Sequence, residues 1–323
     1  MTAAPWRPEP PARMPLPLHA HETLETELVT RSMGGRLTLR VASSVEDGHR
    51  AERDLRRLAS RIEVWAARLT RFDPASDLCT LNAVPEASAV ALRPTISAVL
   101  AHARSMTPRT EGAVDVTLLE ERMAAEAFEA ARPSCRTSWQ LEQAGRLGLL
   151  TRDGSARFDL DGVAKGWIAD RALRLLDDYP SALVDADGDL AMRAPRSAGW
   201  LVSVGHPLDD TAGVARLRTP LGWPCERLGV ATSGTSVHRW YGPSGPSHHL
   251  IDPLTRRPAV TDVVQATVVA ESAGAAECLA KAAVIRGSRA GLGLLERAGA
   301  WAALLWLDDG RLVTAPGTSG WLV

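Results

Sequence analysis

Ala182-Leu-Val-Asp-Ala-Asp-Gly-Asp-Leu-Ala-Met-Arg193 is the stretch on which the fold reading turns. Two apolar runs flank three carboxylates in five residues, with a glycine among them. Alternate acids before a glycine also suit a calcium loop, but the glutamate that an EF-hand needs further on is missing. The spacing therefore predicts a turn between two strands, 182–186 and 189–193. Upstream, 164–178 reads as a helix. Downstream come short strands at 200–205, 213–218, 227–232, 248–251 and 263–270, helices near 273–286 and 288–298, and a strand pair at 301–307 and 311–314. Helices interleaved with mostly antiparallel strands predict an α+β fold.

The first half adds a hairpin, Glu25–Thr30 with Arg36–Val41, about Gly34-Gly35. From His49 to Phe72 apolar residues recur at helical spacing (Leu55, Leu58, Ile62, Trp65, Leu69). Pro94 suits the first turn of a helix over Thr95–Met106. Residues 119–147 also read as helical, and Leu149–Thr151 with Ala156–Leu160 as a second hairpin around Arg-Asp-Gly. A Pro-rich segment, 1–24, is expected to be a flexible lead-in to a single domain over 25–323.

A hydrophobic share of 45% and a charged share of 23% are those of a soluble globular protein. A net charge of −1 argues against a nucleic-acid binder held by long-range attraction. No apolar run is long enough to span a membrane. Met1 to Pro17 carries six prolines and no secretory pattern, and the four cysteines are scattered, so a cytoplasmic protein with free thiols is expected.

Of 37 Lys and Arg residues only two are lysine, Lys165 and Lys281. A lysine is a point charge on a thin stem and fits where an arginine fork does not. Lys165 lies in Phe158-Asp-Leu-Asp-Gly-Val-Ala-Lys-Gly-Trp167, a strand-to-helix junction whose small residues let a ligand approach backbone. Gly229-Val-Ala-Thr-Ser-Gly-Thr-Ser-Val-His238 takes a strand into a polar turn that displays Thr232, Ser233 and Gly234. In Ser247-His-His-Leu-Ile-Asp-Pro-Leu-Thr255, His249 and Asp252 stand three apart and are candidates to act together on a reacting group. Glu277 and Lys281 lie four apart on a small-residue helix, the spacing of an ion pair.

Taken in order, these segments resemble the FAD:protein FMN transferase (ApbE) family over roughly 28–307. Pro74-Ala-Ser-Asp-Leu with Leu81-Asn82 is similar to the family's Ser-x-Leu-x-x-Leu-Asn, and Glu111-Gly-Ala-Val-Asp-Val116 to its Asp-Gly-Ala-Phe-Asp-Pro. Asp159-Leu-Asp-Gly-Val-Ala-Lys-Gly166 resembles Asp-Leu-Gly-Gly-Ile-Ala-Lys-Gly, and Asp185-Ala-Asp-Gly-Asp189 resembles Asn-Ala-Gly-Gly-Asp. Ala231-Thr-Ser-Gly234 is the family's own wording, and His249-Leu-Ile-Asp-Pro-Leu-Thr255 resembles His-Ile-Ile-Asp-Pro-Arg-Thr.

The resemblance implies transfer of FMN from FAD to a Thr or Ser hydroxyl of an acceptor flavoprotein, with AMP released. It also implies a T-fold-like core of antiparallel strands and helices, with FAD in a cleft between two similar halves. It places FAD against Ser76, Asp115, Asp161, Gly162, Val163, Lys165, Thr232, Ser233 and Gly234. His249, Asp252 and Lys281 fall to the reacting phosphate. A Mg²⁺ ion would sit near Glu277, the Gly162 loop and Asp161.

The departures cluster at that ion. Ala276-Glu-Cys-Leu-Ala-Lys281 stands where the family has Ala-Asp-Ala-Leu-Ala-Thr, so the ligand Asp becomes Glu277 and the ligand Thr becomes Lys281. Two readings stay open. Either the Lys281 ammonium takes the ion's place, paired with Glu277 and Asp161, or it swings aside and Asp161 supplies the missing ligand. An FAD pyrophosphatase and a non-catalytic FAD-binding module are the alternatives to a transferase.

Overall fold

The computed structural model describes residues 23–84, 89–129, 138–152, 156–195, 199–209, 211–242 and 245–323. Most of the expected Pro-rich lead-in, Cys135, and the centre of the expected Arg-Asp-Gly turn lie outside the described residues.

Strands β1 (Thr23–Ser32) and β2 (Gly35–Ser44) form the first hairpin, and α1 (Gly48–Leu69) follows. A short helix α2 (Asp77–Ala83), strand β3 (Ala89–Leu92) and α3 (Pro94–Arg109) come next, with Pro94 in the first turn of α3. Helix α4 covers only Leu119–Ala127. The long helix expected over 119–147 is thus corrected: α4 ends on Phe128 in the left-handed region, φ 57°, and the chain returns as β4 (Trp139–Ala144) and β5 (Leu147–Arg152). Those two strands make the second hairpin, turning at Gly145, and β3 joins the far side of β5. The 149–151/156–160 pairing is corrected accordingly. Residues 156–160 instead run beside 116–119, with the Asp159 N–H donating to the Val116 carbonyl at 2.8 Å.

The rest is a meander interrupted by helices. Helix α5 (Ala164–Leu173) leads to β6 (Ser181–Ala186) and β7 (Asp189–Arg193), the turn read from the quoted stretch. Strands β8 (Leu201–Gly205) and β9 (Gly213–Arg218) form a separate hairpin before β10 (Arg227–Gly234). Two small hairpins, β11 (Arg239–Gly242) with β12 (Gly245–His248) and β13 (Ile251–Asp252) with β14 (Arg257–Pro258), precede β15 (Val263–Ala270). Helix α6 spans Ala273–Arg297 and bends at Gly287, φ 76°, so the two helices expected there are one bent element. Strands β16 (Ala302–Leu307) and β17 (Leu312–Thr314) close the chain.

One antiparallel sheet, in the order β1-β2-β6-β7-β10-β15-β16-β17, organises all this into an α+β fold. Successive strand residues face opposite sides of a sheet, and here each side has its own core. Ala182, Val184, Ala231, Ala266 and Val268 face the helices, in the same cluster as the buried residues of α1, α3, α5 and α6. Leu183, Met192, Val230, Val269 and Leu304 face the other way, under the β8–β9 hairpin and Trp321. The helix side carries the candidate site. Among the described residues, no helix is long and apolar enough to cross a membrane.

Candidate functional site

The site is built around the turn that leads from Phe158 into α5. Asn82, on α2, donates from Nδ2 to the Phe158 carbonyl at 2.8 Å and accepts the Phe158 N–H at 2.7 Å. This two-handed grip fixes the strand entering the turn. Gly162 then adopts φ +92°, a conformation costly for any residue with a Cβ. The N–H groups of Val163 and Ala164 both return to the Leu160 carbonyl at 3.1 Å and start α5. At Gly166 the helix passes so close to α6 that a Cβ would lie 2.6 Å from the Ala273 carbonyl oxygen. Asp170 of α5 accepts the Ala273 and Gly274 N–H groups, each at 2.9 Å, and thereby docks the start of α6. About two turns along α6, Lys281 arrives over Gly162: a Cβ there would meet its Cδ and Nζ at 2.7 Å.

Two charged clusters flank the turn. In the inner one, Lys165 Nζ lies 3.5 Å from the buried Asp189 carboxylate. Asp189, followed by Glu277, holds Lys165 in its cationic form against the cost of burial. Burial pushes Asp189 up to about 6, although Lys165 opposes it. Glu277 is raised well above the usual carboxylate range by burial and then by Asp189. Its Oε2 accepts the Gly166 N–H at 2.9 Å, while Oε1 is buried with no hydrogen-bond partner. One ammonium facing two buried carboxyls favours a proton on Glu277, the more strongly raised of the two.

The outer cluster lies nearer the surface, with Asp161 partly exposed around a buried Arg122. Lys281 Nζ donates to the Asp161 carbonyl at 2.9 Å. The Asp161 carboxylate is 2.7 Å from Arg122 Nη1, and the same guanidinium reaches Glu126 at 2.8 Å and Asp159 at 3.7 Å. Burial works against an ionised Asp161, yet Arg122 and then Lys281 hold it below the usual carboxylate range. His249 stands in the same field. Burial lowers it to about 3, so its imidazole is neutral at ordinary pH. Its Nδ1 has no hydrogen-bond partner, and its ring meets that of His238 edge-on at 5.3 Å.

The sequence-derived residues thus divide. Asp161, Gly162, Val163, Lys165, Glu277 and Lys281 line the turn, with His249 in their field. Glu277 and Lys281, read as an i, i+4 pair, diverge, one to the Gly166 N–H and the other to the Asp161 carbonyl. Ser76 caps α2 by accepting the Cys79 N–H at 2.9 Å. Asp115 accepts the Thr117 N–H and hydroxyl at 2.8 and 2.7 Å, next to the strand that precedes the turn. Asp252 accepts the Leu254 N–H at 3.0 Å, so its carboxylate holds its own turn. Thr232, Ser233 and Gly234 end strand β10 and do not form the turn, which begins at Thr235; Thr232 shares a 2.8 Å hydrogen bond with Thr267 across to β15.

Arg122 is the residue that sequence reasoning missed. Helix α4 ties three loops together: Arg122 to 159–161, Glu126 to Arg71, and Glu121 to Arg256 at 2.7 Å. Nothing in the spacing links 122 to 161. A hollow of about 500 Å³ at the bend of α6 holds none of the site residues. Two of the arginines lining it, Arg286 and Arg297, already bind the Glu111 carbonyl and carboxylate.

These residues do not fit Mg²⁺ as the family resemblance would hold it. Mg²⁺ demands near-ideal octahedral oxygen ligation. Here the Asp161 carbonyl accepts from Lys281, the Asp161 carboxylate pairs with Arg122, and Glu277 has one oxygen on the Gly166 N–H. An ammonium at the ion's position adds direct repulsion. Among the described residues no group of three or more His, Cys, Asp or Glu side chains is placed to hold an ion.

Comparison with known proteins agrees with the sequence reading. The profile described as "ApbE family" matches residues 33–305. An FAD:protein FMN transferase of Treponema pallidum (strain Nichols) is 30% identical over 177 residues, 50% of this chain and 46% of the relative. The enzyme of that name from Salmonella typhimurium (strain LT2) is 33% identical over 120 residues, 36% of this chain and 33% of the relative. The matched stretch therefore spans less than half the length of these curated relatives. In three dimensions the chain is similar to the apo flavinyl transferase ApbE of Pseudomonas stutzeri, with TM-score 0.75, 21% identity, and coverage of 93% of this chain and 97% of that one. The apbe protein of Thermotoga maritima gives TM-score 0.75 and 20% identity, covering 92% and 98%.

Proposed function

The chain belongs to the ApbE family, and from that premise we propose that it is a cytoplasmic FAD:protein FMN transferase. FAD would lie in a cleft between two similar halves of a T-fold-like core, its pyrophosphate over the 159–166 turn. The acceptor's Thr or Ser oxygen attacks the phosphorus of the FMN half. The bond from that phosphorus to the AMP oxygen breaks, AMP leaves with the electron pair, and the hydroxyl proton passes to a base. The acceptor gains FMN less one water.

Phosphoryl transfer is mostly positioning and neutralisation of charge on phosphate oxygens. The observation that carries the reading is the form of this turn: a glycine at 162 that the Lys281 stem crosses, with its Nζ on the Asp161 carbonyl. A pyrophosphate set beside that lysine meets a cation held in place. His249 is neutral and offers a ring nitrogen lone pair. An approaching anion raises its basicity by favouring the imidazolium, which suits it to take the acceptor's proton. Asp252, occupied by its own turn, would orient this loop and not the proton transfer.

The test is incubation with FAD and a flavoprotein domain carrying a Thr or Ser flavinylation site. Covalent flavin fluorescence on a denaturing gel, with one AMP released per flavin bound, is expected. FMN and AMP formed without acceptor would instead mark a pyrophosphatase, and bound but intact FAD a binding module.

A further inference from the structure

We propose that the cation facing the pyrophosphate in this protein is the Lys281 ammonium itself, so that the nucleotide is bound without a divalent ion. The proposal rests on the flavin reading and deepens it. Lysine is scarce here, two of 37 Lys and Arg residues, and both lysines border one glycine turn. The placement of Lys281 is built in from both sides. Its stem lies flat against Gly162, where any Cβ would meet Cδ and Nζ at 2.7 Å, and its Nζ is anchored on the Asp161 carbonyl at 2.9 Å. An ammonium has three protons. The carbonyl takes one, which leaves two to donate to phosphate oxygens. A planar guanidinium is wider than the stem that now crosses the glycine.

Most of the surrounding oxygens are already engaged, Glu277 Oε1 excepted. Arg122 holds the Asp161 carboxylate, and the Gly166 N–H holds one oxygen of Glu277. A divalent ion ligated by the Asp161 carbonyl would have to evict Lys281. What remains is a fixed monovalent charge at the mouth of a loop whose Asp161 carboxylate is already paired with Arg122.

The test titrates FAD into the whole protein, read by flavin fluorescence, with excess EDTA or with millimolar Mg²⁺. Mn²⁺ added to the protein alone is followed by electron paramagnetic resonance. For the wild type, FAD affinity is expected to agree within about twofold in the two buffers, with no protein-bound Mn²⁺ signal. Lys281→Gln should weaken FAD in EDTA by on the order of tenfold, the scale of one charge-assisted contact. Lys281→Thr combined with Glu277→Asp should bind Mn²⁺ and make FAD affinity Mg²⁺-dependent. Wild-type FAD binding that is lost in EDTA and restored by Mg²⁺ would overturn the proposal, and so would a bound Mn²⁺ signal on the wild type. Neither measurement needs a variant that folds. If FAD fails to bind in either buffer, the flavin reading falls, and inorganic pyrophosphate in EDTA becomes the probe. Binding that Lys281→Gln weakens would still support the ammonium; no binding would remove it.

Discussion

The two lysines stand on either side of one glycine turn and do opposite work. Lys165 is half-buried beside Asp189 and Glu277, and its charge is directed at the protein's own carboxylates. Lys281 is half-buried, rests on a backbone carbonyl, and has no carboxylate within salt-bridge distance among the described residues. The first arrangement is closed and holds α5 against β7 and α6. The second is open toward whatever fills the cleft. Neither role is visible from residue type; both follow from what the neighbouring oxygens are already doing. Charge balance inside a fold therefore separates an anchoring cation from a binding cation better than exposure does.

The sharpest way to break this contrast is Lys165→Met. It strands the buried Asp189 carboxylate, and removing one partner of such a pair costs about 3 kcal/mol, the low end for a pair partly reached by water. Urea unfolding should show that loss, and replacing Asp189 by Leu in the same chain should recover part of it. A loss below about 1 kcal/mol would place Lys165 among ordinary surface residues.

Gly162→Ala comes next. The left-handed conformation costs a residue with a Cβ about 1–2 kcal/mol, and the added methyl would press on Lys281 Cδ and Nζ. A lower midpoint together with weaker FAD binding is expected. Loss of stability with FAD affinity intact would show that the lysine can be moved without consequence.

The pH dependence reports on the outer cluster. His249 falls from an ordinary 6.5 to about 3 in the folded chain, chiefly through burial. Between those values the unfolded chain binds a proton that the folded chain refuses, so stability rises with pH across that window. One such group contributes at most about 1.4 kcal/mol per pH unit, and near pH 6 the slope is only part of that. His249→Asn should flatten the acid limb of a melting-temperature profile between about pH 4 and 6. An unchanged profile would mean that water reaches the ring.

The sheet was legible where alternation was. In β6, successive residues go to opposite cores, Val184 to the helices and Leu183 to the outer layer, as a period of two requires. Helix α1 announced itself through Leu55, Leu58 and Ile62, all buried. The failure at 119–147 has a physical cause. Residues 139–147 are rich in Leu, Glu, Gln and Ala, good helix formers whose propensity is overridden when β5 offers a partner. The alternating burial of β5 was masked by its glycine and leucines, which carry no polar contrast on the exposed side. In the site, the turn and both lysines were readable because lysine is scarce here and the small residues around Lys165 mark a close approach of backbone. Arg122 was not, being one of many arginines, and its pairing with Asp161 spans 39 positions and exists only in the fold.

Lys281→Gln is the smallest expected effect on stability and the one on which the contrast depends. The amide keeps a donor and most of the stem, so the Asp161 carbonyl can retain a partner, and no buried carboxylate is stranded. Substitutions of this kind usually change stability by less than about 0.5 kcal/mol. Urea midpoints of wild type and variant should therefore nearly coincide, while Lys165→Met moves far from both. Were Lys281→Gln to cost as much as Lys165→Met, both lysines would be anchors of the fold. The open cation would then be a buried pair like the other, with no charge left over for a phosphate.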